Sequence, residues 1–268
     1  MRHSDLLSHD LSTRLEALRA LAGSDEPPSA DVLGALVQCL GEDHKLVQRL
    51  ASDRLARFAG RDPEVQKALE ASLSHESPRL RWGAAYTLAR IETQRPLGLS
   101  VLTENLARED SDLRWAAAEA VVLLGRRHPD GVRPQLLALA RGGNPTQRRM
   151  SLYCLRDLAW SDDDAVAAFA AGCRDPVRGV RLAALSALGR ISGSPDRSSD
   201  EAIRLLRQDP EPGVRRAAAA ALGRLAKASA RAKAALEEAA AGEDPALRKA
   251  AAMALGALAP PAQAPEDS

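Results

Sequence analysis

The chain has 268 residues, of which 45% are hydrophobic and 27% are charged, and its 37 Lys and Arg nearly balance its 36 Asp and Glu. A net charge of +1 is not the excess expected of a protein whose whole surface binds nucleic acid or membrane. Only three Trp, two Tyr and two Phe are present, so aliphatic side chains must fill the interior, which favours helices over sheets.

Three cysteines, Cys39, Cys154 and Cys173, are scattered along the chain without a C-x-x-C pair. This spacing argues against a disulfide framework or a zinc site and is typical of a reducing compartment. The first residues lack an apolar signal-peptide core, and no window approaches 18 uninterrupted apolar residues. We therefore expect a cytoplasmic protein without a membrane span.

A ten-residue pattern recurs along the chain, from TRLEALRALA at residues 13–22 to LRKAAAMALG at residues 247–256. Steps of 33 or 34 residues separate its eight starting positions, which are Thr13, Val47, Leu80, Leu113, Gln147, Val180, Val214 and Leu247. So regular a period indicates stacked supersecondary units. We predict a single solenoid over residues 1–259 and a disordered Pro-rich tail over residues 260–268.

Each repeat is predicted to hold two helices. Counted from the starting position, apolar residues recur at +4, +8 and +11, which is the spacing of a helical stripe. Position +4 is Ala except for Ser151, and position +8 is Leu except for Val121. A second apolar stretch precedes each starting position after the first, so each repeat should be an antiparallel pair, helix A then helix B. The predicted fold is an all-α solenoid superhelix of about eight stacked pairs, the first abbreviated.

The pattern D-P-x-x-x-V-R-x-x-A-x-x-A-L-G is matched at every specified position by DPVRGVRLAALSALG at residues 175–189. This pattern and the period resemble HEAT repeats, in the short form also seen in bilin lyases and deoxyhypusine hydroxylase. The resemblance extends over roughly residues 5–258 and implies the fold. It predicts little about function, because one fold hosts many tasks.

An arginine follows the starting residue in seven of the eight repeats, where Gln48 is the exception. A row of arginines could bind phosphate. Most of the B helices are, however, preceded by an acidic residue that could pair with such an arginine, and the charge balance leaves no surplus for polyanions. The resemblance implies the same, because HEAT families use such a ladder between adjacent repeats. We therefore predict a structural ladder formed by Arg14, Arg81, Arg114, Arg148, Arg181, Arg215 and Arg248.

Catalytic and metal-binding motifs find little support. No two His or Cys have the spacing of ligands on one helix face, and there is no GxSxG, P-loop or GxGxxG motif. The resemblance to deoxyhypusine hydroxylase would imply a di-iron centre held by several His-Glu pairs inside helices. This chain has one such pair, His75-Glu76, in a predicted turn. We expect no metal, no cofactor and no enzymatic activity.

The aromatic residues have an unusual distribution. In HEAT-like solenoids the B helices line the concave surface, so positions +2, +5, +6, +9 and +13 should face a groove. In repeats three to five these positions include Trp82, Tyr86, Trp115, Glu119, Arg149, Leu152, Tyr153, Arg156 and Trp160. Five of the seven aromatic residues lie in this set. Partner binding explains the cluster well. Local packing of neighbouring aromatic rings remains an alternative.

The favoured function is that of a monomeric, non-enzymatic scaffold or adaptor that holds a segment of another protein in this aromatic groove. Because Arg149 and Arg156 border the aromatic residues, we expect the partner to carry an apolar or aromatic anchor flanked by acidic residues. Nucleic acid and membrane are not expected partners. The alternative is an enzyme resembling HEAT-like alkylpurine DNA glycosylases, with Trp115 to stack a modified base and Glu119 to stabilise bond cleavage. A mobility shift on duplex DNA at low salt separates the two hypotheses.

Overall fold

A computed structural model describes residues 3–21, 26–190, 195–227 and 229–258. Within these ranges it contains sixteen helices and no strand. The helices are α1 (His3–Leu6), α2 (Leu11–Ala20), α3 (Ala30–Cys39), α4 (Lys45–Ala59), α5 (Pro63–Ser72), α6 (Pro78–Arg90), α7 (Leu99–Asn105), α8 (Ser111–Arg127), α9 (Pro129–Gly142), α10 (Pro145–Asp157), α11 (Asp163–Gly172), α12 (Arg178–Leu188), α13 (Pro195–Gln208), α14 (Pro212–Leu225), α15 (Ala230–Ala241) and α16 (Pro245–Gly256).

The helices follow the predicted repeat. Each of the eight starting positions is the third residue of an even-numbered helix, so the odd-numbered helices are the A helices and the even-numbered helices the B helices. The chain divides into two compact units, Met1–Pro134 and Gln135–Ser268. In each unit consecutive B helices contact each other: α2, α4, α6 and α8 in the first, and α10, α12, α14 and α16 in the second. The fold is the predicted all-α solenoid.

The prediction of one solenoid domain over residues 1–259 remains a prediction, since each compact unit is described by itself. The tail predicted at residues 260–268 lies outside the described residues.

The predicted stripe forms the core. All eight residues at position +4, Ser151 included, are buried, and so are the +8 residues of the first seven repeats. Alanine at +4 lets the backbones of neighbouring helices approach, while leucines around it fill the remaining space. In the first unit this packing joins residues from Leu6 to Ile91 into one apolar cluster.

Position +5 departs from the expectation. Leu152, predicted to face the groove, is fully buried, and so are Ser52 and Leu185 at the same position. A Cβ atom added to Gly172 would lie 2.9 Å from Leu152 Cδ1, so this leucine packs against the helix that follows its own, α11. The prediction for Leu152 was wrong because the buried stripe of the B helix is wider than the spacing +4, +8, +11 indicates.

Side chains at the helix starts explain the two polar starting residues. Asn144 and Gln147 form a capping box at α10, in which the Gln147 N–H donates to Asn144 Oδ1 over 3.0 Å and Asn144 N–H donates to Gln147 Oε1 over 3.2 Å. Both N–H groups would otherwise lack a partner at the helix start. At α2, Thr13 donates its N–H and its hydroxyl to Asp10 Oδ2.

The predicted arginine ladder is present in the second unit. Arg148 makes two hydrogen bonds to Asp175, at 2.7 and 3.0 Å. Arg181 binds Asp209 in the same way, at 2.7 and 3.1 Å. Arg215 donates to Asp244 at 3.1 Å. Each arginine therefore reaches the acidic residue that precedes the B helix of the next repeat.

The same arginines also hold the start of their own helix. Arg181 donates to the carbonyl oxygens of Asp175 and Pro176, and in the first unit Arg81 donates to those of His75 and Glu76. Gln48, which replaces the arginine in the second repeat, donates to the carbonyl oxygens of Leu40 and Glu42 instead. The row of arginines is thus occupied by structural bonds. Within the described residues, the predicted pairing with an adjacent repeat is made by Arg148, Arg181 and Arg215. The other four predicted members donate to carbonyl oxygens before their own helices instead: Arg14, Arg81, Arg114 and Arg248.

The ladder predicts a pH dependence of stability. Burial alone would raise the pKa of Asp175, but hydrogen bonds from Arg148 and from the Val177 N–H hold that pKa below its usual value. A carboxyl group with a lowered folded-state pKa stabilises the fold above its unfolded pKa of about 3.9, and this contribution is lost as the pH falls through the folded-state pKa. The free energy of unfolding, measured with guanidinium chloride, should therefore fall more steeply between pH 6 and pH 2.5 for the wild type than for Asp175→Asn. Equal slopes would contradict this account, and Glu16→Gln, at an exposed carboxylate of α2 that forms no ion pair within the described residues, serves as the control.

Candidate functional site

The eight predicted partner-binding residues are divided between the two units. Trp82, Tyr86, Trp115 and Glu119 lie in the first unit, on α6 and α8. Arg149, Tyr153, Arg156 and Trp160 lie in the second unit, on α10 or directly after it. The two groups are described separately.

The first unit contains a cavity of about 390 Å³ between the N-terminal halves of α4, α6 and α8. Trp82 and Tyr86 form its aromatic wall, with ring centroids 5.6 Å apart and planes tilted by 32°. Trp82 is only 9% exposed, so the expectation that it lies on the surface was wrong, and local packing accounts for most of its ring. Tyr86 is half-buried and presents its remaining surface to the cavity.

Gly83 lets α6 approach the preceding repeat. A Cβ atom at this residue would lie 2.7 Å from Leu40 Cβ and 2.8 Å from the Leu40 carbonyl oxygen. No larger residue fits without moving the end of the α3 segment. The close contact brings α6 against the preceding repeat next to Trp82, which is itself buried.

A chain of hydrogen bonds supports the Tyr86 side of the cavity. Thr87 Oγ1 lies 2.7 Å from the Gly83 carbonyl oxygen and 2.9 Å from Ser52 Oγ. A carbonyl can only accept, so the single hydroxyl proton of Thr87 goes to Gly83, and Ser52 donates to Thr87. Arg90 in turn donates to Ser52 Oγ over 3.1 Å. All the hydroxyl groups of this buried chain are therefore satisfied.

Arg90 links this chain to the aromatic wall. Its guanidinium pairs with Asp53 at 2.7 Å and lies 5.5 Å from the centroid of the Tyr86 ring. At this distance the cation is attracted to the ring face. The Tyr86 ring is thus held in place before any partner binds, which lowers the entropy cost of binding.

Charged residues surround the mouth of the cavity. Lys45, at the start of α4, donates to Asp112, at the start of α8, over 3.0 Å, although a whole repeat with α6 lies between them. This hydrogen bond raises the pKa of Lys45. A second ion pair joins Asp43 and Arg79. All four side chains are exposed, so these pairs are weak and can exchange for contacts with a bound molecule.

Trp115 and Glu119 lie outside the cavity lining. Trp115 occupies position +2 of α8, as Trp82 does on α6, yet it is 45% exposed. Glu119 follows one turn later and is exposed as well. The two residues that the glycosylase hypothesis needs, Trp115 and Glu119, therefore share an open surface of α8. The residues of α8 that do line the cavity are Asp112, Leu113 and Ala116.

In the second unit the predicted residues make contacts with one another. The Arg156 guanidinium lies 4.8 Å from the Tyr153 ring centroid, makes two hydrogen bonds to Asp157 and donates to Ser186 Oγ over 3.2 Å. Arg149 is half-buried. Arg156 was expected to border the groove as an available cation, but these contacts occupy most of its donors.

Trp160 is placed by the end of α10. Its N–H donates to the Leu155 carbonyl oxygen over 3.3 Å, and the Ala159 N–H donates to that of Arg156 over 3.0 Å. Ala159 has a φ of 56°, so the segment is a Schellman motif with alanine where glycine is usual. The motif turns the chain sharply and leaves Trp160 half-buried beside the helix end.

Two searches of the described residues concern other kinds of site. No group of three His, Cys, Asp or Glu residues among them is placed to hold a metal ion. None of the helices in the described part of the chain has the length and hydropathy needed to span a membrane.

The three cysteine thiols are buried and form no disulfide. Burial raises the pKa of Cys39 to about 11 and those of Cys154 and Cys173 to about 12. At neutral pH these groups are thiols rather than thiolates, so they are poor nucleophiles and serve as packing.

Comparisons with known proteins identify the fold. A search of the curated proteins finds no match. The X-ray structure of YibA from Escherichia coli superposes with a TM-score of 0.55 at 16% identity, covering 96% of this chain and 90% of YibA. The karyopherin Kap121p, in a crystal structure with the extreme C-terminus of the phosphatase Cdc14p, gives a TM-score of 0.63 at 17% identity, covering 96% of this chain and 32% of Kap121p.

Human deoxyhypusine hydroxylase also matches, with 20% identity over 96% of this chain and 94% of that chain, but at a TM-score of 0.41, from which nothing follows about activity. A family model for HEAT repeats matches residues 34–122 and 199–266. These segments make up more than half of the chain and contain helix pairs of the predicted period. The chain therefore belongs to the HEAT-repeat family.

Proposed function

We propose that this protein is a non-enzymatic scaffold for protein interactions, and that its first unit takes an apolar or aromatic side chain of a partner segment into the cavity beside Trp82 and Tyr86. The observation that carries the proposal is the cavity itself, which combines an aromatic wall with a charged mouth. Its volume of about 390 Å³ lies within the range of pockets that enclose small ligands, and it can hold one large side chain.

The charges at the mouth favour acidic residues on both sides of the anchor. Arg49 lines the cavity, is exposed and forms no ion pair within the described residues. It can therefore meet a carboxylate of the partner. Lys45 becomes available when its weak pair with Asp112 opens. We thus propose Arg49 as the cation that meets an acidic residue of the partner, a role that the sequence suggested for Arg156.

The other predicted residues stay within the proposal. Trp115, with Glu119 one turn away, offers an exposed aromatic surface on the neighbouring B helix of the first unit. We propose that a partner also contacts the second unit, at the residues Arg149, Tyr153, Arg156 and Trp160. The likeness in fold to Kap121p, which was crystallised with a segment of another protein, supports protein binding as the task.

The surroundings fit this task. Three buried thiols suit a reducing compartment such as the cytoplasm, and we propose a monomer there.

A DNA glycosylase must enclose a base that it has flipped out of the duplex. Trp115 and Glu119 lie on an open surface outside the cavity, so this geometry favours the scaffold over the enzyme.

Selection from a random peptide library displayed on phage tests the proposal. Against the full chain we expect enrichment of peptides with Trp, Phe, Tyr or Leu flanked by Asp or Glu. A labelled enriched peptide should bind Tyr86→Ala at least about tenfold more weakly, because an aromatic contact at the centre of an interface carries much of the binding energy. Arg49→Glu should mainly slow association, since exposed charges steer encounter.

The matched control is Arg57→Glu, an exposed arginine on the same helix α4 that does not line the cavity. Its affinity for the peptide should stay within about twofold of the wild type. Enriched peptides without an apolar anchor, or equal affinity for the wild type and Tyr86→Ala, would overturn the proposal.

A further inference from the structure

The last two B helices form a basic surface, although basic and acidic residues are nearly balanced in the chain as a whole. Helix α14 has the sequence PGVRRAAAAALGRL and helix α16 the sequence PALRKAAAMALG. Together they carry five cationic residues and no acidic residue. The chain as a whole has 37 basic and 36 acidic residues, so this surface concentrates positive charge.

A groove of about 540 Å³ runs along these two helices. Small residues form its floor: Ala220, Gly223, Ala250, Ala254 and Ala257. A Cβ atom added to Gly223 would lie 2.8 Å from Ala254 Cβ, so the helices touch and the groove has no deep gap between them. Such a floor allows the backbone of a further helix to come close, as small residues do in other close helix contacts.

The edge of the groove is apolar at one residue and cationic at two. Met253 is 68% exposed, the largest value for a large apolar side chain among the described residues. An exposed methionine adapts its shape to different apolar surfaces. Arg224 and Lys227 also line the groove and are exposed, and neither pairs with an acidic residue in the described part of the chain.

Of the other basic residues on the two helices, two are bound within the protein and two are exposed. Arg215 is bound to Asp244 of the ladder, and Arg248 donates to the Gly242 carbonyl oxygen. Arg216 and Lys249 are exposed on the same two helices. The positive charge left to a binding partner is therefore carried by Arg224 and Lys227 in the groove and by these two residues beside it.

We propose that this groove binds an acidic amphipathic helix of a partner protein. The apolar face of such a helix covers the small-residue floor and Met253, and its Glu or Asp residues meet Arg224 and Lys227. Charge complementarity selects this occupant over a neutral or basic helix. The site lies in the second unit and does not depend on the cavity in the first unit, so either proposal can fail without the other.

The methionines provide a direct readout. The chain has three, of which Met253 is exposed in the groove and Met150 is fully buried. The probe is an 18-residue peptide with Leu and Ala at helical spacing on one face and Glu on the other, added to the full chain with ¹³C-labelled methionine methyl groups. We expect a saturable shift of the Met253 resonance and none for Met150, with Met253→Leu identifying the signal.

Two comparisons make the test specific. A peptide of the same composition with scrambled order should bind at least about tenfold more weakly, because it has the charge without the apolar face. The double variant Arg224→Glu/Lys227→Glu should also weaken binding at least about tenfold. The matched control is Arg231→Glu/Lys233→Glu on α15, which makes the same charge change outside the groove and should cost no more than about twofold.

Four results would overturn the proposal. The scrambled peptide could bind as well as the amphipathic one, or the control reversal could weaken binding as much as the groove reversal. A Met253 resonance that shifts on dilution without peptide would assign the groove to a second copy of the chain. A Met253 resonance that shifts when residues 259–268 are deleted, again without peptide, would assign it to that segment.

Discussion

Replacement of Asp209 by alanine is expected to lower the free energy of unfolding by about 3–5 kcal/mol. Arg181 is 8% exposed and Asp209 is 4% exposed, and the two are joined by hydrogen bonds of 2.7 and 3.1 Å. Removal of the carboxylate leaves the guanidinium buried without its counter-charge. The energy lost is then mainly the cost of that unpaired charge rather than the net value of the ion pair.

Two further variants separate this explanation from a general loss of packing. The double variant Arg181→Met/Asp209→Leu should recover most of the stability, because a buried pair can be replaced by apolar residues of similar volume. Asp244→Ala, at the more exposed end of the ladder, should cost about 1–2 kcal/mol, mostly through its helix cap. Urea unfolding at pH 7 measures all three. A cost below about 1 kcal/mol for Asp209→Ala would contradict the account.

Leu188→Ala is expected to cost about 2–5 kcal/mol, because Leu188 is 1% exposed at core position +8 of the sixth repeat. The loss combines the buried methyl groups with the cavity that they leave. Thermal or urea unfolding of the variant measures it. A loss below about 1 kcal/mol would mean that the surrounding helices collapse into the space.

The two tryptophans at position +2 make a matched comparison in the same experiment. Trp82→Ala should cost about 3–5 kcal/mol, since most of its ring is buried. Trp115→Ala, with the ring nearly half exposed, should cost less than about 1 kcal/mol. Equal costs at the two positions would show that the difference in burial does not determine stability here.

The repeat pattern predicted much of the fold. The starting positions lie at one point of every B helix, and all eight residues at +4 are buried, because stacked repeats bury the same positions in turn. The capping box of α10 also has a signal in the sequence, N-x-x-Q at residues 144–147.

The cavity could not be predicted in the same way. Trp82 and Trp115 are equivalent in the repeat but differ in burial. Position +3 is glycine in the third repeat alone, and this residue, Gly83, is in close contact with Leu40. The pair Lys45–Asp112 joins residues 67 positions apart, two repeats along the chain, and neither occupies a position that the apolar stripe distinguishes. Such contacts depend on how individual helices sit against each other, which a one-dimensional period does not encode.

The direction of the hydrogen bonds from Arg90 to Ser52 and from Ser52 to Thr87 limits which partner groups can bind at Ser52. Ser52 lines the cavity, gives its only proton to Thr87 and already accepts one hydrogen bond from Arg90. One acceptor position is left on its oxygen, and no proton. A partner group that approaches Ser52 must therefore bring a donor of its own. Among aromatic anchors this favours tryptophan and tyrosine, whose rings carry an N–H or O–H group, over phenylalanine.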